Sequence, residues 1–173
     1  MTPAAAFRGW CLALLLAVLV HNAEEAIALA IYPSAPTDLA NATGFSIAIP
    51  SPGRIYAGLA LFTFIPALVL LRARRNAAPG LVFMSCVIAT MMAANAVVPH
   101  LAGALWMQSY QPGLVTALAF SLPAGVVFLH TARRAQWLSP GRWRAAVGLG
   151  AMLLPLVLFG FWALGELIAE IGG

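Results

Sequence analysis

The sequence predicts an all-α membrane protein, a bundle of about five transmembrane helices, and three observations support this fold class. First, 62% of the 173 residues are hydrophobic and only 8% are charged, whereas soluble domains carry roughly 25% charged residues. Second, five apolar segments approach or exceed the roughly 20 residues that a helix needs to cross the hydrocarbon core of a bilayer. Third, the arginines cluster at the ends of those segments. We expect a single transmembrane domain over residues 1–173.

The predicted helices follow directly from the apolar segments. In lipid only helices and closed barrels satisfy all their backbone hydrogen bonds, so each segment is interpreted as a helix. Proline and glycine are tolerated in membrane helices, and the ends are therefore defined only to within a few residues. The five helices are expected at about residues 9–32, 54–71, 80–100, 112–131 and 145–169.

The arginines predict the orientation of the bundle. If five helices alternate in direction, eight of the nine arginines fall on one side and only Arg54 falls on the other. Cytoplasmic loops carry such an excess, which predicts a cytoplasmic N-terminus and an outward C-terminus, in a bacterial inner membrane. A pI near 9.8 would also suit a nucleic-acid partner, but arginines at helix ends exclude that interpretation. The eight are Arg8, Arg72, Arg74, Arg75, Arg133, Arg134, Arg142 and Arg144.

An alternative interpretation of the first segment is a secretory signal peptide. Arg8 would be its basic region, residues 10–20 its apolar region and Ala28-Leu29-Ala30 its cleavage site. The stretch before that cleavage site is long and carries two glutamates. We therefore favour a retained helix.

The connection over residues 33–53 is the one long loop, and it holds four prolines around an apolar stretch at residues 45–49. Long loops in compact domains are often lids or binding loops. A lid over an outward-facing pocket and an ordered surface loop are both consistent with this composition.

A polar cluster stands out inside the first helix. At 100° per residue, Glu24 and Glu25 lie about 60° and 40° to either side of His21, so the three share one face. At about 1.5 Å per residue from Arg8, they lie about 20–25 Å along the helix, in the outer third of the membrane. An ionised acid at the bilayer centre costs about 2.5–3.5 kcal/mol. These acids therefore need partners, protons or a metal.

Other helices offer partners at a similar depth. The third contributes Asn95 and His100, and the fifth contributes Glu166. Five residues separate Asn95 from His100, which places them about 140° apart on a regular helix. Pro99 cannot donate to the carbonyl of Asn95 and permits a kink that would bring the two side chains toward one pocket.

The residues His21-Asn22-Ala23-Glu24-Glu25 resemble the signature of the HXXEE-motif membrane proteins. The pattern of that family adds an asparagine and a histidine, which fall on Asn95 and His100 in Asn95-Ala96-Val97-Val98-Pro99-His100. The resemblance extends over most of the chain in its helix pattern and rests on about five specific residues. It implies a polar site in a membrane protein that is regarded as an enzyme, without indicating a reaction.

Two kinds of chemistry suit this residue set. Two imidazoles and a carboxylate are ligands for zinc or iron in sites that activate water near neutral pH, which makes His21, Glu25 and His100 the candidate metal ligands. Without a metal, one glutamate would be a general acid and the other, or a histidine, a base. Both suit hydrolysis or isomerisation of an apolar or lipid-like substrate. In either case we expect His21, Glu24, Glu25, Asn95 and His100 to be catalytic, with Asn95 as orienter and one glutamate as proton carrier.

The same residues are also consistent with a non-enzymatic protein. His21 and His100 would be axial ligands of a haem, or the acids would relay protons for a transported ligand, or the pocket would bind a lipid. A transporter usually shows internal repeats or a larger bundle, and the sequence shows neither.

Overall fold

The computed structural model describes the backbone of residues 3–43 and 51–171 and the side-chain surroundings of residues 4–42 and 51–157. Within these ranges the chain forms helices and connecting turns, without a strand. The helices are α1 (Pro3–Ile31), α2 (Ala35–Thr43), α3 (Pro52–Arg75), α4 (Pro79–Asn95), α5 (Ala102–Met107), α6 (Leu114–Thr116), α7 (Leu122–Arg134) and α8 (Pro140–Ile171). Two π-helical turns, Ala96–Leu101 and Ala117–Ser121, join α4 to α5 and α6 to α7.

Within the described part of the chain, four helical segments are long and apolar enough to cross a membrane: Ala4–Ile31, Pro52–Arg75, Pro79–Met107 and Leu114–Arg134. This confirms an all-helical protein with membrane-spanning character. The fifth expected span lies in α8, a helix of 32 residues, but its side chains beyond residue 157 are outside the described part. The fifth crossing and the orientation of the termini stay predictions.

The helix ends follow ordinary rules. Pro52 and Pro79 stand in the first turns of α3 and α4, where a missing N–H costs nothing. Pro66 and Pro155 lie inside α3 and α8 without ending them. The predicted third helix extends past His100 to Met107 as one interrupted span.

The connection expected as one loop over residues 33–53 is in part helical. It contains α2, which begins directly after a turn at Pro33 and Ser34 and carries Asp38 in its first turn. An acid is favourable there because it faces the positive end of the helix dipole. The α2 segment lies against α5, and Trp106 Nε1 donates a 3.3 Å hydrogen bond to the carbonyl of Ala42. The apolar stretch at residues 45–49 lies outside the described residues.

The span that contains α4 is the central one, with 61% of its most apolar window buried, against 22–39% for the other three. It packs against α3, α7 and α8. Close approach is possible because glycines face it: a Cβ on Gly125 or Gly150 would come within 2.6–2.7 Å of the carbonyls of Ala89 or Val87. Small residues have this role in membrane bundles generally.

The first helix is part of this bundle. Phe7, Leu14 and Val18 are buried in its core, and α1 packs along α3 and α7. The helix predicted as a transmembrane span thus contributes to the folded interior.

The span that begins with α4 is interrupted after Asn95, so the helix beyond the break does not continue the α4 helix regularly. Inside the π-helical turn Ala96–Leu101, Val98 has φ −131° and ψ 117°, which is extended backbone. A residue before proline is pushed out of the helical region by the proline ring, and Pro99 follows directly. The expected kink at Pro99 is therefore present, and it lies beside the polar cluster.

Candidate functional site

Two imidazoles and one amide meet in the interior of the bundle. His21 of α1, Asn95 of α4 and His100 of the π-helical turn are 0%, 5% and 3% exposed. Asn95 Nδ2 lies 3.1 Å from Nε2 of His21 and 3.1 Å from Nε2 of His100. The two rings stand edge to face with centroids 4.8 Å apart. The break at Pro99 is what turns Asn95 and His100 toward the same point.

The amide orients both imidazoles in the same way. Its two hydrogens are satisfied by two acceptors, so each Nε2 presents its lone pair toward Asn95 and each proton is placed on Nδ1. In that tautomer His21 Nδ1 donates to Thr116 Oγ1, 3.3 Å away. The backbone of Pro112 lies within hydrogen-bonding reach of the His100 ring. Both rings are thus held through Nδ1, while their Nε2 atoms converge on Asn95.

Glu25 completes the convergent group. It follows His21 by one helical turn, and its Oε2 lies 3.6 Å from His21 Nε2. One ligand atom each from His21, Glu25 and His100 falls within 4.8 Å of the others, so this group could hold a metal ion. Glu25 is 26% exposed, while His21 is fully buried. The carboxylate therefore forms the accessible edge of the cluster.

Glu24 points to a different set of partners. Its carboxylate accepts hydrogen bonds from the Tyr110 hydroxyl at 2.6 Å and from the backbone N–H groups of Val115 and Thr116 at 3.3 and 2.7 Å. The Thr116 hydroxyl donates a further bond of 2.5 Å to it. These N–H groups begin the span Leu114–Arg134, where free donors and the helix dipole favour an anion. Glu24 shares a helix face with His21 and Glu25, but its hydrogen bonds connect α1 to the start of the span Leu114–Arg134.

The contact with Glu24 also affects the pKa of Tyr110. Tyr110 lies in the turn between two spans, and its partial burial and its hydrogen bond to Glu24 raise its pKa to about 12. The phenol therefore stays protonated, and stays a donor to Glu24, over the whole physiological range of pH.

Gly113 forms a backbone wall over the imidazoles. It has a φ of +82°, and a Cβ added there would lie 2.9 Å from His21 Cε1, 3.0 Å from His100 Cε1 and 3.4 Å from Glu25 Cβ. Only glycine combines this left-handed backbone with so close an approach. The turn before the span Leu114–Arg134 is therefore seated directly on the cluster.

Sequence reasoning missed Tyr110, Gly113 and Thr116. The Gln111-Pro112-Gly113 stretch predicts a turn by composition, but nothing in the sequence shows that this turn lies against α1. The further contributor expected from the fifth helix, Glu166, lies in the part of α8 whose side chains are not described. His130 is exposed at the C-terminal part of α7.

The geometry also bears on the haem alternative. Axial histidines bind on opposite faces of a porphyrin, whereas the rings of His21 and His100 touch edge to face with centroids 4.8 Å apart. No porphyrin plane fits between them.

Comparison with known proteins identifies the family. A profile described as "Protein of unknown function with HXXEE motif" matches residues 12–128, a stretch that holds His21, Glu24, Glu25, Asn95 and His100. No curated protein and no solved structure matches the chain. The matched stretch covers well over half of the 173 residues, and the chain therefore belongs to the HXXEE family.

Proposed function

We propose that this protein is a metal-dependent membrane enzyme that hydrolyses an apolar or lipid-like substrate at the His21, Glu25, Asn95 and His100 cluster. The observation that carries the proposal is the convergence of one ring nitrogen from each of two imidazoles and one carboxylate oxygen inside two candidate membrane spans. Buried polar groups in a membrane are expensive and mark functional sites by default. The compartment we propose is the bacterial inner membrane, with the cluster in the outer half of the bilayer.

The donor set fits zinc or non-haem iron. Two histidines and a glutamate with an open position make up a common catalytic zinc site. Bond lengths of roughly 2.0–2.2 Å in a tetrahedron place neighbouring ligand atoms roughly 3.3–3.6 Å apart. The 3.6 Å from His21 Nε2 to Glu25 Oε2 meets that value. The most distant pair of ligand atoms lies within 4.8 Å. Side-chain rotations that bring these two atoms closer by about an ångström would reach the tetrahedral spacing. A metal held there would supply Lewis-acid activation of water and of a substrate carbonyl or phosphoryl oxygen.

Asn95 has the spacing of a further ligand beside the three, and water would then need a fifth position, to which catalytic zinc sites can expand. Its terminal atom lies 3.1 Å from both Nε2 atoms, close to the distance between neighbouring ligands of one ion. The two ends of an amide are nearly identical in shape, and a half turn exchanges Nδ2 for Oδ1. With a metal present, Oδ1 would face it. Without one, Nδ2 donates to both rings.

The remaining residues hold the ligands. Thr116 accepts from His21 and donates to Glu24, which fixes the ring orientation through a hydroxyl. Metal-bound histidines are usually oriented in this way through their second nitrogen. We therefore assign Glu24 a positioning role, because its oxygens already receive four hydrogen bonds. Glu25 would hold the metal through Oε2, and its second carboxylate oxygen is the group that would take up or deliver a proton next to the substrate.

The depth of the cluster supports the substrate class. His21 is ten residues from the end of the span Ala4–Ile31, or about 15 Å along the helix. A substrate that reaches this depth leaves water behind, which favours a lipid or another apolar molecule with one hydrolysable bond. Glu25 at the accessible edge would meet it first.

Metal analysis of detergent-purified protein tests the site. Wild type should carry near-stoichiometric zinc or iron, and His21→Ala with His100→Ala should lose it. His130→Ala is the matched control, because this histidine is exposed and lies outside the cluster. Retention of metal by the double variant would contradict the proposal.

Two substitutions at Asn95 separate the metal site from a metal-free network. Asn95→Asp offers an oxygen to a cation but has no N–H to donate to the lone pairs of the two imidazoles. With a metal, this variant should bind as tightly as wild type or more tightly, whereas Asn95→Leu should bind about 10–100-fold more weakly. Equal loss in both variants would indicate that Asn95 acts as a donor only.

The reaction is tested with lipids from the cell. Wild type and Glu25→Gln protein in liposomes would be incubated with a total lipid extract, and products measured by mass spectrometry. The expected result is one or more lipids consumed by wild type only, with a mass gain of water shared between the products. A Glu25→Gln variant with full activity would exclude the assigned role.

A further inference from the structure

A second polar feature lies at the other end of the bundle and plays no part in the proposed site. It is a cleft of about 540 Å³ between the start of α1 and the end of α3. Three arginines line it: Arg8 from α1, and Arg74 and Arg75 from α3. All three side chains are exposed.

Among the described side chains, no carboxylate accompanies these three charges. Within residues 4–42 and 51–157, the structure shows no carboxylate paired with any of them. The chain has only five acids, and the nearest to Arg8 along α1 is Glu24, about 24 Å further along the helix. A cleft with three cations and no described carboxylate beside them has a positive potential that favours an external anion.

The rest of the cleft is apolar and continues into the membrane spans. Leu12 and Leu71 form its wall, one helical turn or less from the arginines. Gly9 also lines the cleft, and an added Cβ there would meet nothing within 4 Å. A free inorganic ion has no use for such a wall, whereas a molecule with an anionic head and a hydrocarbon tail covers both parts.

We propose that this cleft binds an anionic phospholipid, with the headgroup phosphate on Arg8, Arg74 and Arg75 and the first acyl carbons along Leu12 and Leu71. Guanidinium groups suit this ligand because their planar fork pairs with phosphate oxygens in bidentate fashion. Basic pockets between membrane helices are known to take such headgroups. The proposal is independent of the metal site, which lies on the opposite half of α1.

Native mass spectrometry of the full chain in detergent tests the proposal. The probes are phosphatidylglycerol and phosphatidylcholine with identical acyl chains, added in increasing amounts to delipidated protein. Wild type should bind phosphatidylglycerol at least tenfold more tightly. Removing arginines as Arg8→Gln, Arg74→Gln and Arg75→Gln should weaken this binding about fivefold for each charge removed.

Two further variants distinguish the cleft from diffuse surface charge. Gly9→Leu keeps all three arginines but adds a large side chain to the lining of the cleft, and should also lose the preference for phosphatidylglycerol. Arg134→Gln removes one charge from the end of α7, outside the cleft, and should keep it. Circular dichroism and the elution profile in detergent would show that each variant is folded.

Three results would overturn the proposal. One is an unchanged preference in the triple arginine variant. Another is unchanged binding by Gly9→Leu, or a loss in Arg134→Gln as large as in the cleft variants. The third is displacement of phosphatidylglycerol by inorganic phosphate at the same concentration, which would indicate a small-anion site in which the apolar wall has no role.

Discussion

Replacement of Gly113 by alanine tests whether the turn before the span Leu114–Arg134 holds the site. At a φ of +82°, an alanine costs roughly 1–2 kcal/mol more than glycine in backbone energy alone. The new Cβ would also lie 2.9 and 3.0 Å from the Cε1 atoms of His21 and His100. Carbon atoms in contact prefer about 3.5–4.0 Å, so each ring has to retreat by about 0.5 Å or more.

A displacement of that size is enough to impair a metal site. Ligand geometry has to be held within about 0.5 Å for function, and altered support of ligands typically costs 10–100-fold in metal affinity. We therefore expect Gly113→Ala to bind metal about 10–100-fold more weakly and to unfold more easily by about 1–2 kcal/mol. Gly113→Asn adds the same Cβ, but asparagine tolerates the left-handed backbone better. It should recover part of the stability and none of the metal affinity.

The assay combines zinc titration with denaturant unfolding in detergent micelles. The matched control is Gly103→Ala, where the Cβ would meet Gln111 and Leu39 only at 3.4 Å and a helical alanine gains up to about 1 kcal/mol. Wild-type zinc affinity and stability in Gly113→Ala would refute the placement of this turn on the imidazoles.

The remaining predictions concern three other contacts. Thr116→Val removes the hydroxyl between His21 and Glu24 and should lower metal affinity about 10–100-fold. The control Thr63→Val affects only the 2.7 Å bond from Asn22 and should leave metal affinity unchanged. Equal losses of affinity in zinc titrations of both variants would count against the positioning role of Thr116. Gly150→Ala would bring a Cβ within 2.6 Å of Thr90 Cβ and should destabilise by about 1–3 kcal/mol, whereas Gly148→Ala, with open space around it, should be neutral or stabilising in the same unfolding assay. Tyr110 should ionise with a pKa of about 12 in an absorbance titration, and Tyr110→Phe should remove that late step. Because this pKa is raised above the ordinary value of about 10, the bond from Tyr110 to Glu24 should stabilise the protein in full below about pH 10. That stabilisation should be lost as the pH rises to about 12. A late ionisation step that persists in Tyr110→Phe would show that the step belongs to another group.

The helices and the motif on α1 were predictable because both are local properties. Hydropathy locates a span wherever about 20 apolar residues follow one another, and the spacing of His21, Glu24 and Glu25 places them on one face. The partnership of Asn95 with His100 was predictable for a similar reason, since proline acts on the residues next to it.

The different surroundings of the two glutamates were not predictable. Glu24 and Glu25 are adjacent and chemically identical, and only the position of the next layer distinguishes them. Thr116 and Tyr110 reach Glu24 from more than 80 residues away in the chain. Such contacts depend on how the helices pack, and helix packing in lipid leaves little periodic signal in the sequence because both faces are apolar.

The break at Val98 and Pro99 makes the site depend on the phase of one helix. Asn95 and His100 belong to the same span, so no sliding between helices can separate them. Their common direction comes from the turn Ala96–Leu101 alone. In an unbroken helix the same two residues would point about 140° apart, and with Asn95 on the bundle interior His100 would turn toward the surrounding lipid. The break at Val98 and Pro99 thus decides whether the imidazole of His100 lies in the bundle interior or faces the lipid.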